Sequence, residues 1–185
     1  MNHLATSKED ILAASRELIK ENGWAAVSIR ALASKCSVSS GTIYNYYESK
    51  ADLLGDTIES IWQEIFFHPE DEQIFHDAAA CISWIYERLE YGNRQFPGFF
   101  SLHSFSFMRE EKNDGKKRMM KTWGHIQNGL CNVLKNDPKI RPDVFDQQFT
   151  ENQFADILFS LILVAMTRQD YDPSSVLMLI NKTLY

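Results

Sequence analysis

The segment from Ser28 to Leu54 constrains the fold more than any other part of the sequence, because it carries three helix-start signals at close spacing. Ser28, Ser39 and Ser49 each precede a helical pattern, and serine is a favoured N-cap because its side-chain oxygen accepts a backbone N–H of the first turn. The first two caps stand 11 positions apart in the printed sequence, which leaves room for only a few turn residues between two short helices. The sequence therefore predicts a helix-turn-helix followed at once by a third helix.

Apolar residues beside these caps support the same division. Val27 pairs with Leu32 across the first cap and Val38 with Ile43 across the second, which is the spacing of a hydrophobic staple. Gly41 lies inside the second short helix, where glycine costs roughly 1 kcal/mol relative to alanine. Its presence there indicates close approach by a bulky partner, and a phosphate backbone would qualify.

The polar residues of this segment suit double-stranded DNA. Hydroxyl groups donate hydrogen bonds to phosphate oxygens, and an asparagine such as Asn45 pairs with an adenine edge or a phosphate. Lys50 falls in the first turn of the third helix, where its charge and the free helix N–H groups both favour phosphate. Tyr47 falls on the Ile43 face and is predicted to pack, and packing is also the alternative role for the tyrosines at 44 and 46. The predicted DNA-binding residues are Ser28, Arg30, Ser39, Ser40, Thr42, Tyr44, Asn45, Tyr46 and Lys50.

Thr6–Leu54 resembles the N-terminal DNA-binding domain of TetR-family transcriptional regulators, through the ordered pattern V-S-x-G-T-I-Y-x-Y-Y-x-S-K-x-x-L. The resemblance implies a repressor more than an activator, with Tyr44, Tyr46 and Lys50 as backbone or base contacts. It also implies a second domain that holds a small-molecule effector. Two positions depart from the family pattern. A serine at 37 replaces the usual turn glycine and predicts a strained left-handed residue, and Tyr47 replaces the usual phenylalanine.

Charge divides the chain into two predicted domains, residues 1–50 for DNA binding and residues 51–185 for effector binding and dimerisation. The first holds six lysines and arginines against five acids, a net of +1, and the second holds thirteen against twenty, a net of −7, which together give the formal charge of −6. The acidic second part would be repelled by DNA. Because the first part is nearly neutral, it would bind DNA through individual side-chain contacts and not through its overall charge. A dimer would make two sets of these contacts.

The remainder of the chain reads as all-α: an N-terminal three-helix domain with a helix-turn-helix, then a helical ligand-binding and dimerisation domain. Helical spacing of apolar residues predicts a helix that ends at Gly92, one over residues 116–134, one over residues 143–167 and a last one that begins at Pro173. Gly23 is predicted to end the first helix in the left-handed conformation.

Aromatic and methionine side chains of the second part would line a pocket for a flat or apolar effector. For any one of them, a place in the ordinary core is the stronger alternative, and His103 is the one polar candidate. The predicted ligand-binding residues are Trp62, Phe66, Trp84, Phe100, His103, Phe107, Met120 and Trp123.

The segment from Ile157 to Met166 is apolar on nearly every helical face. A helix of this kind must be buried all round, and in a chain of 185 residues this favours pairing with a second copy, the last helix completing a four-helix interface. The alternative is the central core helix of a monomer. A two-fold dimer would place two recognition helices in successive major grooves of a palindromic operator.

The sequence argues against several other classes. It has no HExxH, no G-x-S-x-G and no phosphate-binding glycine loop, so neither a catalytic site nor a cofactor is expected. The three scattered cysteines predict a reducing cytoplasm and no metal site. No segment is apolar enough over sufficient length for a membrane span. A helical small-molecule or lipid-binding protein with a degenerate DNA head, and an all-α enzyme that uses the aromatic cavity, remain the alternatives to a regulator.

Overall fold

The computed structural model describes residues 6–66, 75–100 and 113–185, apart from the side chains of 113–122, and every regular element in these ranges is helical. This confirms the all-α class. The chain divides into two compact units, Met1–Pro69 with Arg94–Pro97, and Glu70–Asn93 with Gly98–Tyr185. The first unit thus extends beyond residue 50 to include the whole fourth helix. The division of functions at residue 50 stays a prediction.

Helix α1 spans Lys8–Asn22 and begins with a complete capping box, in which the Ser7 hydroxyl accepts from the Asp10 amide and the Asp10 carboxylate accepts from the Ser7 amide. Gly23 follows with φ 75° and ψ 178°. The predicted positive φ is confirmed, but the left-handed helical conformation is wrong, because ψ places the residue in an extended region open essentially to glycine. A short 3-10 turn, Trp24–Ala26, then leads to the second helix.

Helices α2 (Ile29–Lys35) and α3 (Ser40–Tyr44) form the predicted helix-turn-helix. The hydroxyls of Ser28 and Ser39 cap them by accepting the amides of Ala31 and Thr42, at 3.1 and 3.2 Å. Both serine caps are therefore confirmed.

The turn between α2 and α3 holds Ser37 at φ 56°, the positive value predicted for the serine that replaces the usual glycine. The chain closes around it because the Val38 amide donates to the Ala33 carbonyl at 2.9 Å. The tight turn thus carries a small strain that the surrounding helices hold in place.

Helix α4 spans Lys50–Phe66 and is joined to α1 along its length. The buried hydroxyls of Ser15 and Thr57 lie 3.0 Å apart, and Thr57 donates onward to the Leu53 carbonyl. Near the C-terminal end of α4, Glu64 pairs with both Arg16 and Lys20 of α1. These contacts hold α1 and α4 in a fixed relation.

Tyr47 is 1% exposed in the core of the first unit, and its hydroxyl has no hydrogen-bond partner among the described residues. The predicted packing role is confirmed. A buried hydroxyl left without a partner costs roughly 1–3 kcal/mol, so Tyr47→Phe is expected to raise the free energy of unfolding by about 1 kcal/mol, measured by urea denaturation at pH 7.

The pH dependence of stability supplies the control for this variant. Burial raises the pKa of Tyr47, so the unfolded state loses the phenol proton first and the stability of the wild type falls as pH rises above about 10. Tyr47→Phe should show a smaller loss over the same alkaline range. An unchanged or lowered stability at pH 7 would mean that the hydroxyl has a partner in solution.

The second unit contains most of helix α5 (Ala78–Gln95), and helices α6 (Asn113–Asn136), α7 (Glu151–Arg168) and α8 (Ser174–Thr183). The predicted stop at Gly92 is wrong, because α5 continues to Gln95 with Gly92 buried. The predicted start of α7 at 143 is also wrong. Thr150 and Gln153 form a capping box there, and the Asp146 carboxylate accepts the Gln148 and Phe149 amides in the preceding turn.

Asp137, 7% exposed, holds the end of the chain to the start of α5. Its Oδ2 accepts from the Ala78 amide at 2.8 Å and from the Tyr185 hydroxyl at 2.6 Å, and its Oδ1 accepts from the Lys139 amide at 2.9 Å. Because each donor satisfies the buried carboxylate, the charge is tolerated in the core. The end of α8 is thereby fixed within the second unit.

Candidate nucleic-acid interface

The predicted DNA-binding residues all lie in the first compact unit, and most of them are exposed. Helix α3 is only five residues long, and it is anchored by Ile43, which is fully buried, while Tyr44 points away from that core with 55% of its surface exposed. In this position Tyr44 presents both an apolar ring and a hydroxyl group to a partner. We call the following residues the reading face: the exposed Arg30, Ser39, Ser40, Tyr44, Asn45 and Lys50, with the half-buried Ser28 and Thr42.

The ion pairs of the first unit separate its basic residues into two groups. Lys8 pairs with Asp56, and Lys35 pairs with both Glu17 and Glu21. Arg16 and Lys20 are paired as described above. Within residues 6–50 this leaves two basic side chains that have no acidic partner in the described structure, Arg30 and Lys50. Both belong to the reading face, one in α2 and one at the first position of α4.

Hydroxyl protons remain available on the reading face. The Ser28 oxygen accepts the capping amide and so retains its own proton. The Ser39 and Thr42 hydroxyls lie 3.0 Å apart, and because either one donates to the other, one proton of the pair is left over. Phosphate oxygens only accept hydrogen bonds, so these remaining protons suit a DNA backbone.

Tyr46 differs from the rest of the predicted set. Its hydroxyl donates to the backbone carbonyl of Thr6 at 2.6 Å, and the side chain is half-buried. A DNA contact by Tyr46 stays a prediction, but in this conformation its single proton is already engaged inside the protein.

The predicted ligand-binding residues that the structure describes are packed against other aromatic rings. Trp62 stacks on Phe66 at 5.5 Å within α4. In the second unit, Trp84 lies 5.2 Å from Phe75, and Trp123 meets the edge of Phe159 at 5.7 Å. Trp62 and Phe159 are buried and the other four rings are half-buried, and an effector role for the predicted residues stays a prediction.

Phe100 is 1% exposed and lies between Phe99 and Tyr171, with ring centroids 5.3 and 6.3 Å away. The Tyr171 hydroxyl is a buried polar atom that the sequence did not single out. It has no hydrogen-bond partner among the described residues, and burial raises its pKa to about 12. His103 and Phe107 lie outside the described residues, as does the side chain of Met120.

The described residues contain no group of three or more His, Cys, Asp or Glu side chains that could hold a metal ion. None of their helices combines the length and apolar character needed to cross a membrane.

Residues 1–50, which we call the head, overlap a segment that matches a known family. Residues 11–57 fit the model of the bacterial regulatory proteins of the tetR family. A segment of 44 residues is 41% identical to the HTH-type transcriptional regulator UidR of Escherichia coli strain K12, and it covers 24% of this chain and 22% of UidR. The sequence likeness to UidR is thus confined to less than a quarter of that protein.

Solved structures extend the likeness to the whole fold. A TetR transcription regulator from Haloarcula marismortui superposes with a TM-score of 0.67 at 19% identity, over 96% of this chain and 95% of that one. The transcriptional regulator FadR from Bacillus subtilis superposes with a TM-score of 0.66 at 22% identity, over 97% of this chain and 100% of FadR.

The helix-turn-helix and the helices that follow it have the fold of these solved transcriptional regulators. Residues 11–57 thus match the tetR family, and over the rest of the chain the likeness to these solved structures is one of fold.

Proposed function

We propose that the chain is a sequence-specific DNA-binding transcriptional regulator that acts as a homodimer on a palindromic operator in the cytoplasm. We propose further that it is a repressor released by a small apolar or aromatic effector. The observation that carries DNA binding is the position of Arg30 and Lys50, which flank α3 without an acidic partner in the described structure.

Electrostatics supports this choice. The other cations of the head are neutralised by nearby carboxylates, so they add little to phosphate binding. For example, hydrogen bonds to Glu17 and Glu21 raise the pKa of Lys35. Arg30 and Lys50 are free to replace the counterions of two phosphates in each head. Individual phosphate contacts of this kind are important for a head whose net charge is only +1, because its overall charge attracts DNA weakly.

Exposed apolar residues on the last two helices support a dimer. Ile157 and Val164 lie two turns apart on α7 with 42% and 43% exposure, while Met178 and Leu179 on α8 are 58% and 38% exposed. The opposite side of α7 is buried in its own subunit, since Leu158 and Ile162 are at most 2% exposed. A second copy would cover the exposed row and bury α7 on all sides, as its composition requires.

The effector is proposed from the aromatic content of the second unit and from similarity of fold. FadR, whose fold this chain shares at 22% identity, was solved in complex with stearoyl-CoA. An apolar effector fits a helical unit rich in aromatic rings.

The mechanism we propose is a population shift between two dimer states. An effector that prefers one state would favour a spacing of heads that no longer matches successive major grooves. Because α4 is tied to α1 through Thr57 and Glu64, a displacement of α4 would move the head with it.

A direct test uses fluorescence anisotropy with duplex DNA from upstream of the chain's own gene, over a range of salt concentrations. We expect specific binding whose affinity falls as salt rises, with scrambled DNA as the control. No specific binding at low salt would refute the regulator and leave the small-molecule-binding protein. Turnover of a bound compound would instead favour the enzyme.

Gly41 provides a sharper prediction because the protein itself does not require glycine there. A Cβ added at this position would lie 3.5 Å from the Ser39 hydroxyl, which is an ordinary contact, and no positive φ is involved. Gly41→Ala is expected to stabilise the free protein by about 1 kcal/mol while it weakens operator binding at least tenfold, because the methyl group would hold the phosphate backbone away.

Gly129→Ala in α6 is the matched control. Gly129 is exposed in a helix, and a Cβ there would meet nothing within 4 Å. This variant should gain similar stability and bind the operator like the wild type. Unchanged DNA affinity of Gly41→Ala would show that DNA does not approach α3 at this point.

A further inference from the structure

The hydrogen bond between Tyr46 and Thr6 joins the end of α3 to the start of α1, 40 positions earlier in the chain. The acceptor is the carbonyl of the Thr6–Ser7 peptide, and the amide of the same peptide donates to the Asp10 carboxylate at 2.8 Å. Thr6 is 6% exposed. A single peptide unit is therefore held at both ends, by the cap of α1 on one side and by Tyr46 on the other.

A proton count decides what Tyr46 can do on DNA. A neutral phenol has one proton, and phosphate oxygens accept hydrogen bonds but donate none. Tyr46 already donates its single hydroxyl proton to the Thr6 carbonyl, and the two oxygen atoms lie 2.6 Å apart. By contrast, Ser28 accepts in its cap and keeps its proton, and Tyr44 is more than half exposed.

Helix α3 needs a tie of this kind. With five residues it is far too short to be stable by itself, and its orientation depends on what anchors it. Ile43 and Tyr47, both at most 1% exposed, anchor one side by apolar packing. The Tyr46 bond adds a directional contact at the C-terminal end of the helix, which apolar packing alone does not provide.

We propose that Tyr46 is a positioning residue, which fixes the orientation of α3 against the start of α1, and that it makes no phosphate contact. This role rests on the proposed function, in which α3 enters the DNA groove. The tyrosine hydroxyl acts on DNA affinity through the position of the neighbouring residues Tyr44 and Asn45.

The experiment compares Tyr46→Phe with Tyr44→Phe in the full chain, since each change removes one hydroxyl, from the last residue of α3 or from the second residue after it. Three quantities are measured: the thermal midpoint without DNA, the hydrogen exchange of the first-turn amides of α1 without DNA, and the operator affinity at a temperature where all proteins are folded. The DNA is the upstream duplex described above.

For Tyr46→Phe, the thermal midpoint should fall by about 2–4 °C, as expected when a chain of this size loses one hydrogen bond. First-turn exchange in α1 should accelerate, and operator affinity should fall by about threefold to tenfold. Tyr44→Phe should lose affinity to a similar extent, with no change in thermal midpoint or exchange, because its hydroxyl makes no hydrogen bond to any described residue and the side chain is 55% exposed.

Each other outcome is decisive. If Tyr46→Phe lowers affinity but leaves the midpoint and exchange unchanged, the residue is a phosphate contact and the positioning role is refuted. If it lowers the midpoint without affecting affinity, the bond is merely structural and the role is again refuted. If the wild type binds no DNA, the proposed function fails, and this role fails with it.

Discussion

Ile157→Glu is expected to convert the proposed dimer into a monomer, with a dimer dissociation constant at least ~1,000-fold higher than that of the wild type. Ile157 is one of the two large apolar side chains that α7 exposes, and a two-fold interface would bury two copies of it. The substitution therefore removes two apolar side chains from the interface and forces two unpaired carboxylates into it. Sedimentation velocity over a range of protein concentrations measures the change.

The fold of the single subunit should be unaffected, because Ile157 is 42% exposed within its own chain. Far-UV circular dichroism would check this. Operator affinity should fall as well, since a monomer contacts one half-site only.

Ala80→Glu is the control for Ile157→Glu. Ala80 is exposed in the first turn of α5, where a carboxylate is favoured by the helix dipole. This variant should remain dimeric with wild-type affinity for DNA. A dimeric Ile157→Glu protein would place the interface on another surface, and the apolar row would then need another explanation.

Local signals were sufficient to predict the head. The caps at Ser28 and Ser39 depend on a side chain and an amide three residues away, so the sequence of one turn contains the whole interaction. The positive φ at Ser37 was predicted from the family resemblance, which implies a turn glycine at this position. Such features do not depend on the rest of the fold.

The pairing of charges could not be predicted in this way. Lys20 meets Glu64 across 44 positions, and Lys35 meets Glu21 across 14. Tyr46 finds Thr6 across 40. These contacts exist only after the helices pack. The sequence could therefore name Arg30 and Lys50 as candidates, but it could not show that the other cations are neutralised.

The wrong helix boundaries have two different causes. Thr150 and Gln153 carry a capping signal that is visible in the sequence, and the predicted start at 143 overlooked it. Gly92 was taken as a stop, but it is a buried position inside α5. The fold tolerates a glycine there because tertiary packing outweighs a cost of about 1 kcal/mol.

Tyr44→Ala combined with Lys50→Ala is expected to weaken operator binding by about 100-fold to 1,000-fold while the dimer stays intact. Each head loses one hydroxyl donor and one cation, and the dimer loses two of each. The slope of log affinity against log salt should fall by roughly two, since two phosphate contacts no longer release counterions. Anisotropy titrations at several salt concentrations measure both quantities, and sedimentation confirms the dimer.

Lys35→Ala is the control for the charge that the Lys50→Ala change removes, because it also takes one lysine charge from each head. Lys35 is already engaged with Glu17 and Glu21, whereas Lys50 has no acidic partner in the described structure. We therefore expect Lys35→Ala to leave the salt slope nearly unchanged. Equal slopes for the two variants would mean that DNA senses only the total charge of the head, and the assignment of Lys50 to a phosphate contact would be wrong.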